Sequence, residues 1–347
     1  MVFRTGHLGD TVCAIPAFRV LREHFRRGSL TLLCDRPAEG KVASKQVAEM
    51  VSAFDWVATY RSGRGPLTFL ELLRLLRRAK PDLVVLLPQA RETIAGLARK
   101  KQFFQICGVK DVRGLLFPKV AHSWQPNEPA RLVQMLRRIG IEGGKPAYGI
   151  PINPAARASI LSKLAGLGVQ ETSPILVFCG GGKASTQLWD LARYGSVLRS
   201  ASERLPFTIV AVGTAPELAR YQSCILPVFP KLVLLSGLEL AEVFELLRLA
   251  TAYFGNDSGL MHVAAALGRP VAVVMSARNL PGTWDPDVEP CLIFRHRTEC
   301  EDCFLSECVT ERHRCMTSIT EETVISELLP FLERLLRVAG AREGLQP

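Results

Sequence analysis

Ala252-Tyr253-Phe254-Gly255-Asn256-Asp257-Ser258-Gly259-Leu260-Met261-His262 decides how this chain is read. Its first residues are an apolar run of the kind that fills a buried strand. From Ser258 onward the pattern turns helical and runs to Gly268-Arg269-Pro270. A strand that passes through a short Gly/Asn/Asp/Ser turn into a helix is half of a βαβ unit, the repeating piece of a parallel sheet. The turn also carries chemistry. A helix start presents unpaired N–H groups and the positive end of the helix dipole, and Ser258 and Gly259 let another molecule come close to that backbone. Those are the needs of a diphosphate. His262, in the first helical turn, can reach the same phosphates, and Asp257 either caps the helix or grips sugar hydroxyls. A lone His at such a place is more often structural, and only the whole constellation brings the ligand reading level with it.

The same alternation continues on both sides of this segment. Residues 29–34, 82–87, 174–179, 207–212 and 271–275 read as buried parallel strands; 10–26, 67–79, 89–100, 189–203, 239–249 and 258–267 read as helices. Alternating elements through the whole chain mean an α/β protein with parallel sheets. At 347 residues the chain is long for a single core, and domains of roughly 150–200 residues are expected. Gly143, Gly144, Pro146, Pro151 and Pro154 break regular structure over 141–155, which predicts domains at 1–150 and 151–347. A last helix over about 320–338 carries an apolar stripe of Val324, Leu328, Phe331 and Leu335 and can pack on either domain. Doubly wound sheets bind ligands beyond the carboxyl ends of their strands, so two such domains facing each other place the chemistry in loops that border a cleft.

Two more loops qualify. Gly6-His7-Leu8-Gly9-Asp10 follows a very short strand and opens a helix. Asp10 at that helix start is an N-cap in the plainer reading and a general base in the functional one; both hold only if one carboxylate oxygen stays uncommitted. Gly180-Gly181-Gly182-Lys183-Ala184-Ser185-Thr186-Gln187 lies between a strand and the helix entered near Trp189. Bare glycine N–H groups with Lys183, Ser185 and Thr186 outline a phosphate cradle, although the spacing is neither a P-loop nor a dinucleotide fingerprint. Cys300, Cys303, Cys308 and Cys315, with His313 nearby, either ligate a structural zinc or form a reduced, packed loop. The predicted set contains no metal ligand and no cofactor.

Hydrophobic residues make up 48% of the chain and charged residues 22%, which excludes disordered, collagen-like and coiled-coil classes. No apolar run approaches the ~20 residues of a membrane span. No export signal is visible, so a cytoplasmic location and reduced cysteines are expected. Charge is divided unevenly: residues 1–150 hold 25 Lys and Arg against 12 Asp and Glu, while 151–347 hold 18 against 21. A first half at +13 favours an acidic partner such as a phosphorylated glycolipid or an anionic membrane. Nucleic acid ranks last, because the basic residues alternate with leucines without stacking aromatics. The leucine-rich face of 67–79, beside Arg74, Arg77 and Arg78, reads as core packing rather than a lipid anchor.

These motifs resemble glycosyltransferase family 9, the lipopolysaccharide heptosyltransferases. The resemblance is carried by Gly9-Asp10 with Pro16-Ala17, Trp189 after the glycine loop, Asn256-Asp257-Ser258-Gly259 with Met261-His262, and the cysteine stretch ending in Cys315-Met316. It implies a GT-B fold, two Rossmann-like domains facing an interdomain cleft, with the acceptor on the first and the nucleotide sugar on the second. It implies transfer of heptose from ADP-heptose to an acidic inner-core acceptor, with inversion and without a required metal, at the inner face of the membrane. On this resemblance Asp10 is the general base. Lys183, Ser185, Thr186, Gln187, Asp257, Ser258, Gly259 and His262 bind the donor, and Glu217 reaches the ribose. Family members usually carry Lys where this chain has Gln187, and their first strand is longer than Met1 to Thr5 allows. A nucleotide-sugar epimerase and a non-catalytic sugar-nucleotide-binding homologue are the competing readings.

Overall fold

The computed structural model describes residues 1–36, 44–61, 63, 65–117, 124–309 and 311–343. It divides into two units, Met1–Pro151 and Ile152–Pro347. The first contains β1 (Val2–Phe3), α1 (Leu8–Val12), α2 (Ile15–His24), β2 (Thr31–Arg36), α3 (Ser44–Val51), β3 (Trp56–Arg61), α4 (Pro66–Ala79), β4 (Leu83–Leu86), α5 (Ile94–Ile106), β5 (Asp111–Arg113) and α6 (Glu128–Arg138). Its five strands are parallel in the order β3-β2-β1-β4-β5. Two residues suffice for the central strand because both its neighbours hold it. The Met1 ammonium donates to the Leu83 carbonyl at 2.8 Å, and Leu87 N–H to the Phe3 carbonyl at 3.0 Å.

The second unit contains α7 (Pro154–Gly166), β6 (Ile175–Cys179), α8 (Leu191–Arg204), β7 (Thr208–Val212), α9 (Ala215–Cys224), β8 (Val233–Leu235), α10 (Leu240–Leu249), β9 (Ala252–Asn256), α11 (Gly259–Ala266), β10 (Val271–Met275), β11 (Cys291–Arg295), α12 (Arg314–Thr317) and α13 (Glu321–Glu343). Its six strands are parallel, ordered β11-β10-β9-β6-β7-β8. Every residue of β6, β9 and β10 is buried, since helices cover both faces of the sheet. Trp189, Tyr194, Phe178 and Phe254 pack edge-on at the centre of one face. The terminal helix belongs to this unit: Val324, Leu328, Phe331 and Leu332 join that core, and the Trp189 indole donates to the Ile319 carbonyl at 3.0 Å.

Two predicted helices are corrected. The helix expected over 10–26 is broken at Cys13-Ala14 into α1 and α2. Pro16 sits in the first turn of α2 and has no N–H to continue the earlier helix. The helix expected over 89–100 begins only at Ile94, where Thr93 caps it by accepting the Gly96 N–H at 3.0 Å. No helix among the described residues is long and apolar enough to cross a membrane.

Candidate active site

In the second unit the chain runs from β6 outward through β7 to β8, then returns to the other side of β6 to form β9. The carboxyl ends of β6 and β9 are therefore a topological switch point, where the following loops diverge and leave a crevice. Cys179 and Gly255 are partners in the register. A Cβ on Gly255 would lie 2.0 Å from the Cys179 carbonyl oxygen, so only glycine permits this approach. The strand pair thus brings the 180–187 loop and the 256–262 turn side by side.

Asn256 joins them. It is fully buried, and its Oδ1 accepts from the Trp189 N–H (3.2 Å) and the Tyr194 hydroxyl (2.7 Å) while its Nδ2 donates to the Gly180 carbonyl (2.6 Å). Ser258 is the N-cap of α11 but makes no side-chain cap; its Oγ lies 3.0 Å from the Tyr253 hydroxyl. The helix start from Gly259 is thus left without a side-chain cap, as an anion site requires. Gln187 Nε2 donates to Asp257 Oδ2 at 2.9 Å. Burial raises the Asp257 carboxyl above its ordinary value, and His262, Gln187, Arg295 and Arg278 oppose that rise. Three of those four are basic, and one of them, Arg295, is itself paired with Asp285. His262 is buried, edge-on to Trp284 with ring centroids 5.9 Å apart.

Not all predicted donors point inward. The Thr186 hydroxyl donates to the Leu305 carbonyl at 2.7 Å and the Ser185 hydroxyl to the Ser306 carbonyl at 3.0 Å, while His313 Nε2 meets the Thr186 carbonyl at 2.9 Å. Both hydroxyl protons are therefore spent on the cysteine-rich segment, which straps the loop from outside. Lys183 stands exposed on the same loop. Glu217 Oε2 accepts from the Thr214 N–H and hydroxyl (2.7 and 2.8 Å), capping α9, and a Cβ on Gly181 would fall 1.9 Å from Glu217 Oε1. None of the ten cysteines forms a disulfide. Among the described residues no group of three or more His, Cys, Asp or Glu is placed to hold a metal ion.

The first unit has its own switch point, between β1 and β4. His7, not Asp10, is the N-cap of α1; Asp10 is the third helical residue. Asp10 Oδ2 accepts the His7 N–H at 2.9 Å. Its Oδ1 has no hydrogen-bond partner among the described residues. Gly6 has φ +150°, and a Cβ there would come within 2.4 Å of Asp10 Cβ. Beneath the loop lies a charge cluster that sequence reasoning missed. Arg4 is buried and donates to the carbonyls of Asp10 (3.0 Å), Leu87 (3.2 Å) and Pro88 (3.2 Å) and to Glu128 Oε1 (3.0 Å). Arg131 closes the cluster on Glu128 Oε2 at 2.6 Å and also donates to the Pro88 carbonyl. The one visible signal was an arginine directly after the apolar Val2-Phe3, a charge at the end of a buried strand. A cavity of about 450 Å³ lies elsewhere in this unit, lined by Arg19, Arg22, Glu23, Arg26, Lys145, Ala147 and Gly149.

Two Rossmann-like units, each with a switch-point loop opening a helix, are the architecture of GT-B glycosyltransferases, and solved structures of that class match nearly end to end. A family 9 glycosyl transferase from Veillonella parvula has a TM-score of 0.72 at 18% identity, covering 96% of each chain. Escherichia coli ADP-heptose lps heptosyltransferase II has 0.66 at 17%, covering 97% of this chain and 99% of that one. Escherichia coli heptosyltransferase WaaC, solved with ADP-2-deoxy-2-fluoro heptose, has 0.60 at 16%, covering 96% and 98%. The profile of glycosyltransferase family 9 (heptosyltransferase) matches residues 69–313, and the chain belongs to that family. It is a glycosyltransferase. No curated protein matches it by sequence.

Proposed function

We propose that the protein transfers a heptose, with inversion, from ADP-heptose to an acidic lipopolysaccharide inner-core acceptor at the inner face of the cytoplasmic membrane. The acceptor is held by the first unit, whose +13 charge suits carboxylates and phosphates, and the donor by the second. The observation that carries this reading is the divided Asp10 carboxylate. One oxygen is fixed by the His7 N–H and the other has no hydrogen-bond partner among the described residues, at the sheet edge where ligands of such folds bind. A base needs that combination of fixed orientation and a vacant lone pair.

In the proposed step Asp10 Oδ1 takes the proton of the acceptor hydroxyl as its oxygen bonds to the anomeric carbon. The bond from that carbon to the phosphate oxygen breaks on the opposite face, and ADP leaves with the electron pair. The N–H groups at the start of α11, with His262, meet the charge that develops on the diphosphate. Lys183 adds positive charge from the glycine loop. Asp257, oriented by Gln187, accepts from donor-sugar hydroxyls. The likeness to Escherichia coli ADP-heptose lps heptosyltransferase II and to WaaC solved with ADP-2-deoxy-2-fluoro heptose favours this donor. The test pairs ADP-heptose with a deacylated inner-core acceptor. Asp10→Asn should lower turnover at least ~100-fold while ADP affinity stays within about twofold of wild type. Turnover that survives the substitution returns Asp10 to a purely structural role, and wild type that is inactive with this pair removes the donor and acceptor assignment.

A further inference from the structure

The leucines of α4 were expected to face the core, and part of them does not. Leu76 is buried and Leu72 and Leu75 pack against the same cluster as Phe3, Leu86, Leu97 and Phe104. The opposite face carries Leu67, 72% exposed, and Leu70, 43% exposed, followed along the same side by Arg74, Arg77 and Arg78. That succession follows from the 3.6-residue period. None of the three arginines makes a salt bridge among the described residues. Glu71, the only acidic residue of α4, is turned to Arg36 (3.2 Å) and the Arg61 N–H (2.9 Å). α5 packs on the same face of the sheet, with Phe69 and Phe103 edge-on at 5.6 Å, and exposes Ile94 (81%) and Ile106 (71%) with Arg99.

We infer that the outer face of α4, with that of α5 beside it, is a docking surface for an anionic lipid bilayer. Charge complementarity selects the occupant: unpaired arginines beside exposed leucines give anionic headgroups a counter-charge and acyl chains an apolar turn to meet. The helix lies on the membrane and does not span it. Topology gives the docking a purpose, resting here on the glycolipid acceptor proposed above. Parallel strands put the start of α4, just beyond β3, at the same edge of the sheet as the loop of Asp10. The apolar turn Leu67–Leu70 therefore meets the lipid on the side where an anchored sugar is needed.

The test is co-sedimentation of the full chain with vesicles of phosphatidylglycerol in phosphatidylcholine, and of phosphatidylcholine alone, without substrate. Wild type should bind the anionic vesicles and not the neutral ones. Arg74→Gln/Arg78→Gln should weaken binding by roughly 30-fold, and Leu67→Ser/Leu70→Ser by at least ~10-fold. Unchanged melting temperature and ADP affinity show that the variants are folded. Equal binding to both vesicle types overturns the inference. So does a wild-type dimer in sedimentation velocity that Leu67→Ser/Leu70→Ser converts to monomer with vesicle binding intact, since the face then serves a second copy. Vesicle binding is read without turnover, so a failed transfer assay with the soluble acceptor would sink the proposed reaction and leave this result standing, and the reverse holds equally.

Discussion

Asn256→Ala tests whether the 180–187 loop and the 256–262 turn are joined as described. The substitution removes both acceptor contacts and the one donor contact of a fully buried side chain. It strands the Trp189 N–H, the Tyr194 hydroxyl and the Gly180 carbonyl, all in a dry interior. Each orphaned group costs ~1–3 kcal/mol, but the Tyr194 hydroxyl can rotate and the losses overlap, so about 4 kcal/mol is the expected total. Against a total stability of ~5–15 kcal/mol that is a large share. For a unit of this size it corresponds to a fall in melting temperature of ~8–16 °C. Scanning calorimetry of wild type, Asn256→Ala, Tyr194→Phe and the double variant measures it. Tyr194→Phe alone should cost ~1 kcal/mol, and the double variant should fall short of additivity by a similar amount. A loss below ~1 kcal/mol for Asn256→Ala, or strict additivity, would refute the brace. ADP affinity should fall along with stability, because the glycine loop is then no longer held beside α11.

The remaining predictions concern neighbouring groups. Asp257→Asn should raise the melting temperature at pH 7, because burial disfavours the wild-type carboxylate; the gain should shrink as pH falls and vanish below the ordinary value of 3.8, where the carboxyl is neutral both folded and unfolded. A Tm loss at pH 7 would contradict it, and weaker donor binding should accompany the gain. Gly255→Ala should cost about 3 kcal/mol by chemical denaturation, since the new Cβ meets the Cys179 carbonyl; Gly166→Ala, with nothing within 4 Å, should be neutral or mildly stabilising. Glu242 is held down to about 2, chiefly by hydrogen bonds from Lys163 and then Ser159. Glu242→Gln should therefore cost ~1–2 kcal/mol at pH 7, a figure discounted because Lys163 is partly exposed. That difference should be complete above 4.5 and vanish as pH falls through about 2.

The interior strands were legible in the sequence because burial on both faces writes them as unbroken apolar runs, as in Ile175–Cys179 and Val271–Met275. The outermost strands β3, β5, β8 and β11 were not, since they are only half-buried and some are just three residues long. The turn at Ser258 and Gly259 was legible because a strand-to-helix loop has local chemistry. The partners of Asn256, Ser185 and Thr186 were not, because they lie 62 to 127 residues away and nothing local names them. In α4 leucines recur at 67, 70, 72, 73, 75 and 76 and so encircle the helix. Arg74, Arg77 and Arg78 mark an outer side only in its last turns, so the exposure of Leu67 and Leu70 shows only once Leu76 is seated against the sheet.

The cluster of Arg4, Glu128 and Arg131 bears on how the chain matures on the ribosome. Arg4 directly follows the strand at the centre of the first sheet, yet its counter-ion is 124 residues later, in α6. Until Glu128 has been synthesised and has left the exit tunnel, closing the sheet over Arg4 would bury a guanidinium with no carboxylate to meet it, at a cost of several kcal/mol. Central-strand burial and α6 docking are thus coupled across nearly the whole unit. The order of assembly expected from this pairing is that the first unit completes its fold only after α6 has emerged, and with it the loop that presents Asp10.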